Sequence, residues 1–194
     1  MGNKLTDLIL ICVTCCMGLP AQQVTLNGLA GLVADGNTRR QAMSFVSDSR
    51  RERIPLLIEM TTGSFPGVNN HNLQVGLAEI FGDLKVEESI PFLVSHLIMR
   101  RYEGVDFASW SKTDDGILGT FPCIQALVSI GPPASKAIIN EYAARDGSEG
   151  RLAAIFVVAR VPGVPEAVEF LKGVSNPTFL ERYYIKQGLE LQTR

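Results

Sequence analysis

The residues able to do chemistry are few and scattered. Histidine occurs twice, at His71 and His96. His71 stands among Asn69, Asn70 and Asn72, a turn composition, and His96 sits at the polar edge of an apolar-periodic run. Neither has a Cys-x-x-Cys, a His-Glu-x-x-His or an acidic loop beside it, so neither histidine stands at metal-ligand spacing. Cys123 lies in Phe121-Pro122-Cys123-Ile124. A nucleophilic thiol needs a nearby base, and this apolar setting suits a small buried hydrophobe instead. Glu87-Glu88 and Asp114-Asp115 are adjacent carboxylates. At helix starts they oppose the positive end of the helix dipole, which accounts for them without catalysis. Gly63-Ser64-Phe65-Pro66-Gly67 lacks the lysine and preceding strand of a phosphate loop, and the sequence contains no Gly-x-Ser-x-Gly elbow. The expectation is a chain that is not an enzyme and uses no cofactor or metal.

Binding chemistry is better represented. Arg39-Arg40 and Arg50-Arg51-Glu52-Arg53 form a basic cluster. It reads as a solvated face or as a surface for an acidic partner. The formal net charge is −2 and no aromatics are interleaved with these arginines, so a nucleic-acid partner is disfavoured. The segment Arg100 to Lys112 holds the single tryptophan. Tryptophan, tyrosine and arginine concentrate at binding hot spots, which makes Arg100, Arg101, Tyr102, Phe107 and Trp110 the partner-binding candidates for a protein or peptide. The competing reading folds Phe107 and Trp110 back on the helices beside them.

The first 21 residues carry an address. Lys4 precedes an uncharged, mostly apolar run from Leu8 to Leu19, which Gly18 and Pro20 break before Ala21. A membrane span needs about 20 apolar residues, so this run fits the core of a secretory signal better. Residues 1–21 are expected to be cleaved after Ala21 or kept as an anchor. Val13-Thr14-Cys15-Cys16 is close to a bacterial lipobox, with Cys15 in place of the usual small residue, and makes Cys16 a lipidation candidate. Gly2-Asn3-Lys4-Leu5-Thr6 also matches a myristoylation pattern, but the apolar run behind it points to export. Past this segment Cys123 is alone, which excludes an internal disulfide, and no Asn-x-Ser/Thr acceptor occurs. These features suggest a bacterial envelope protein, periplasmic or extracellular, touching membrane only through residues 1–21.

The elements that must position these residues are helices. Leu73, Leu77, Ile80 and Leu84 mark one face of a helix over 72–83 with a glycine end at Gly82, and Ile90, Leu93, Val94, Leu97 and Ile98 mark its partner over 86–98. Helices over 37–49 and 51–60, 117–130 and 134–145, and 150–160 and 165–171 repeat the order. Residues 152–158 are apolar nearly all round, so that helix is expected between neighbours. Pro55 and Pro91 stand 36 residues apart, each placed near the start of a second helix. Asn176-Pro177 opens a last helix to Leu191, whose Glu181, Arg182, Lys186 and Glu190 suit an outer polar face. Val24 to Val33 reads as a weak opening helix cut by Gly28 and Gly31. Gly119 and Pro122 are expected to bend the helix over 117–130.

This order of helix, Gly-Asp or Gly-Pro turn, then Ile-Pro-x-Leu or Pro-x-Ala-Val-x-x-Leu resembles HEAT-type repeats, closest to the short HEAT-like repeats also found in phycobilisome lyases. Arg151 with Ala153-Ala154, and Ala167-Val168 with Leu171, fit that pattern. The resemblance covers residues 37–191 and carries no catalytic residues. It implies an all-α fold, an α-solenoid of about four antiparallel helix pairs plus a capping helix, with a lead-in at 22–36, the repeats at 37–194 and an insert at about 100–115. The function it implies is a non-catalytic interaction module or scaffold. The alternatives are an enzyme or enzyme-accessory role of the chromophore-lyase kind, and a structural role in envelope assembly.

Overall fold

The computed structural model describes residues 25–102, 113–141 and 148–193. Residues 1–21, Phe107 and Trp110, and the end of the helix expected over 134–145, lie outside them. Among the described residues the structure is all-α, with eleven helices and no strand. No helix there is long and apolar enough to cross a membrane. The chain divides into two compact units, Met1–Leu77 and Ala78–Arg194.

The first unit holds α1 (Leu26–Ala34), α2 (Arg39–Asp48), α3 (Arg50–Met60) and the start of α4 (Asn70–Leu84). Gly28 and Gly31 do not cut α1. The Thr25 hydroxyl caps it by accepting from the Gly28 N–H at 3.1 Å, and Leu29, Ala30 and Val33 are buried. The basic cluster is not one solvated face. Arg53 is buried, its guanidinium 3.9 Å from the centre of the Phe45 ring, and it donates to the Phe45 carbonyl. Arg39 donates from Nε to the Val33 carbonyl at 2.9 Å. Arg40, Arg50 and Arg51 are exposed. Pro55 lies inside α3, where the Arg51 carbonyl has no proline N–H to accept from. It is therefore not equivalent to Pro91, which sits at the start of its helix.

The second unit begins within α4. That helix does not stop at Gly82 but runs to Leu84. Lys85 adopts a left-handed φ of 51°, the Val86 N–H donates to the Phe81 carbonyl at 2.9 Å and the Lys85 N–H to that of Gly82 at 3.2 Å. This is a Schellman ending, and Val86 is buried. Gly82 serves packing instead. A Cβ there would lie 2.7 Å from the Cα of Ala126.

A 3₁₀ turn, Glu87–Ser89, carries the two acids ahead of α5 (Ile90–Ser95), so the single helix expected over 86–98 is a turn and a shorter helix. The expected bend at Gly119 and Pro122 is a full break. The structure has α6 (Asp114–Thr120) and α7 (Pro122–Ile130), separated at Phe121, with Pro122 in the first turn of α7, where its missing N–H costs nothing. Then come α8 (Pro132–Glu141), α9 (Ser148–Arg160), α10 (Pro165–Gly173) and α11 (Phe179–Gln192).

Contacts in this unit follow a regular order. α5 packs on α8 and α8 on α10; α7 packs on α9 and α9 on α11; α7 also meets α8, and α9 meets α10. Every residue from Leu152 to Ala159 is buried, as the all-round apolar pattern of α9 predicts. Its tightest neighbour is α11. A Cβ on Gly188 would lie 2.8 Å from the Cα of Ala159, so only glycine lets these two backbones approach so closely.

The start of α11 departs from expectation. The helix opens at Thr178, not Asn176, through a capping box in which the Thr178 hydroxyl accepts from the Glu181 N–H and Glu181 accepts from the Thr178 N–H at 2.6 Å. Glu181 is thus not on the outer face; it is 2% exposed. Arg151 reaches it from α9 in a two-pronged ion pair, Nε to Oε1 at 2.8 Å and a terminal nitrogen to Oε2 at 2.9 Å, and also donates to the carbonyls of Ser175 and Asn176. Burial pushes the Glu181 carboxyl up, but its bonds to Arg151 and Thr178 outweigh that and hold it below the ordinary carboxylate range.

Glu181→Gln is expected to cost about 3 kcal/mol at neutral pH, because it removes the charge from the two-pronged ion pair with Arg151. A carboxyl whose pKa is depressed on folding stabilises above its unfolded value of about 4.3 and loses that contribution as pH falls through the folded value. Urea titrations of the two proteins should therefore differ most at neutral pH and converge below about pH 4. A constant difference down to low pH would contradict this account.

Candidate interaction cleft

Two of the partner-binding candidates are already engaged within the chain. Arg100 donates to both carboxylate oxygens of Glu149, at 3.0 and 3.3 Å, at the start of α9. Arg101 forms an ion pair with Glu79 of α4. Its Nε donates to the Gly119 carbonyl at 3.0 Å, its side chain reaches Gln125 Oε1 at 3.5 Å, and its backbone N–H donates to the Thr120 carbonyl at 2.8 Å. Tyr102, by contrast, is 65% exposed. Cys16, Phe107 and Trp110 lie outside the described residues.

Arg101 also forms one wall of a cleft between α4 and α7. Its lining is Ala78, Glu79, Gly82, Asp83, Pro122, Gln125, Ala126, Ser129 and Arg101, and its volume is about 150 Å³. The close approach of Gly82 to Ala126 sets how near the two helices lie, and the small residues leave a shallow floor. Glu79 and Asp83 are one helical turn apart, so they present their carboxylates along the same edge. Sequence reading missed Glu79, Asp83, Gln125 and Ser129. The available signal was an acidic pair bracketing a mid-helix glycine, which looked like a helix end.

A second concavity of about 250 Å³ is lined by Arg160, Gln187, Glu190 and Leu191. Arg160 pairs with Asp114, donates to Gln187 Oε1 at 2.7 Å and lies 5.6 and 5.8 Å from the ring centres of Phe156 and Tyr184. Burial pushes the Tyr184 phenol up to about 12, with Asp114 adding to the shift and Arg160 opposing it. Both volumes fall below the ~300–1,000 Å³ usual for small-molecule sites.

The other sequence candidates for chemistry are placed plainly. Cys123 is buried, and desolvation raises its thiol pKa to about 12. His71 is exposed. His96 stacks on Phe92 at 4.6 Å and its Nδ1 lies 2.9 Å from Ser95 Oγ and 3.0 Å from the Phe92 carbonyl. Among the described residues no three of His, Cys, Asp or Glu gather as a metal site.

Arg101→Ala is expected to lower stability by about 2–3 kcal/mol, since it removes the ion pair to the largely buried Glu79 and the brace on the end of α6. Tyr102→Ala, one residue on, should change it by less than about 0.5 kcal/mol. Thermal denaturation of both variants checks this, and equal losses would undo the distinction. Family models, curated proteins and solved structures yield no match to the chain.

Proposed function

We propose that this chain is a non-catalytic interaction module of the cell envelope, built from HEAT-like helix pairs. The observation that carries the reading is the order of contacts in the second unit, where α5, α8 and α10 follow one another and α7, α9 and α11 follow one another. This order supports a short solenoid, in which antiparallel pairs would stack and each would bury its neighbour's apolar face. In the first unit α2 packs on α3, as a pair of this kind would. A stacked array offers long side faces for a partner. The small volumes of its concavities favour side-chain recognition over turnover of a small molecule. Residues 1–21 supply export, by cleavage, retention or lipidation at Cys16.

Amide exchange tests the arrangement. In a stack stability passes between neighbours, so Gly188→Ala, which drives a methyl into Ala159, should loosen α11 and α9 well before α4 and α5. Simultaneous loosening of every helix in the second unit would mean one closed globule. Affinity capture tests the role. Full chain recovered from its host envelope should hold a protein partner that the triple variant Tyr102→Ala, Phe107→Ala, Trp110→Ala releases. Capture of nothing, under cross-linking as well, would overturn the interaction reading.

A further inference from the structure

We infer that the cleft between α4 and α7 receives the basic side chain of a protein partner, with arginine preferred to lysine. This rests on the interaction reading above and names the chemistry one of its sites would recognise. The cleft's volume of about 150 Å³ is right for one long side chain and too small for a nucleotide or a prosthetic group. Its floor, made by the small, buried residues Ala78, Gly82, Pro122 and Ala126, gives room for the stem of a long side chain, while the exposed lining is mostly polar.

The charge at its rim selects the head group. Three charged side chains line the cleft, Glu79, Asp83 and Arg101. Glu79 and Arg101 neutralise each other. That leaves Asp83, which is exposed and has no ion-pair or hydrogen-bonding partner among the described residues. Among the described residues, the cleft's lining therefore carries one net negative charge. Lys85 follows in sequence but does not line it. Asp83 stands in the last turn of α4, where the helix dipole also favours a cation. Gln125 and Ser129 stand across from it on α7, one turn apart, with an amide and a hydroxyl able to accept further N–H groups. A planar guanidinium can bond both oxygens of Asp83 at once and still present N–H groups to Gln125 or Ser129. An ammonium offers a point charge without that fork. An acidic ligand meets Asp83 and finds Arg101 already committed to Glu79.

The test is titration of the full chain with acetyl-Gly-Arg-Gly-amide, followed through backbone amide shifts. The expected result is saturable movement at Asp83, Gln125 and Ser129, weaker with the lysine peptide and absent with the glutamate peptide. Asp83→Asn, at an exposed position, should weaken binding tenfold or more. Ser129→Leu, which fills the cleft from α7, should abolish it, and unchanged shifts elsewhere would show that both variants fold. No saturable movement at these residues, equal affinity in Asp83→Asn, or binding of putrescine as tight as that of the arginine peptide would overturn the proposal. The last outcome would mark a site for free polyamines. An envelope partner whose capture ignores Asp83→Asn would sink this inference and spare the interaction role. Peptide binding without any captured partner would sink the interaction role and the protein partner with it, and leave only the cleft's preference for a guanidinium.

Discussion

The second unit depends on the complete burial of α9. A helix with eight consecutive buried residues, Leu152 to Ala159, has no face to give to water. It must be enclosed by neighbours, and four helices do this: α7, α8, α10 and α11. Enclosure at that density is limited by backbone approach. The side chains nearest α11 are accordingly small, with Gly188 against Ala159. The polar ends of α9 are then tied off. Arg151 holds the cap of α11 at one end, and Arg160 holds Asp114 and Gln187 at the other. One apolar core helix thus dictates where the polar groups of two other elements, α6 and α11, can sit.

Arginine is the recurring means of fastening. Arg53 closes α2 onto α3, Arg39 bonds the last turn of α1, Arg101 joins α4 to the end of α6, and Arg151 joins α9 to α11. Each guanidinium satisfies a helix-end carbonyl or a largely buried carboxylate, or both. The fork of donors suits that task, because helix ends leave carbonyls without partners and a single side chain can meet two or three of them. The cost is that arginines which look available for a partner in the sequence are spent inside the chain. Arg100 and Arg101 illustrate it: both belong to the aromatic and basic segment, and both are held by acids distant in sequence.

Periodicity made the helical class and most helix centres legible, since apolar spacing reports which face is covered. The all-round apolar run gave α9 directly. Boundaries were less legible, because glycine and proline each have two uses. Gly82 looks like a stop but makes room for Ala126, while the stop is made by Lys85 in a conformation no residue preference announces. Pro91 and Pro165 sit at helix starts, whereas Pro55 stands exposed inside α3 and Pro177 precedes its helix. Glu181 was misplaced for a related reason. Its role depends on Arg151, thirty residues away, and on a cap at Thr178 rather than the equally suitable Asn176. The cleft was not legible at all, since Glu79, Asp83, Gln125 and Ser129 converge only after two helices have met.

The same packing rule explains why the cleft lies where it does. Helices brought together through small residues have little side-chain bulk to fill the space flanking the contact. Gly82 against Ala126 leaves such a space, and Ala78 and Pro122 do not fill it. Polar residues at the rim then decide whether it is an idle dent or a recognition site. Glu79 is matched by Arg101 and so costs little; Asp83 has water as its alternative, and it can give that up for a partner's cation at small loss. A recognition site of this kind needs no strained backbone or displaced charge. It follows from the close approach that lets the helices stack, with one carboxylate left over at the edge.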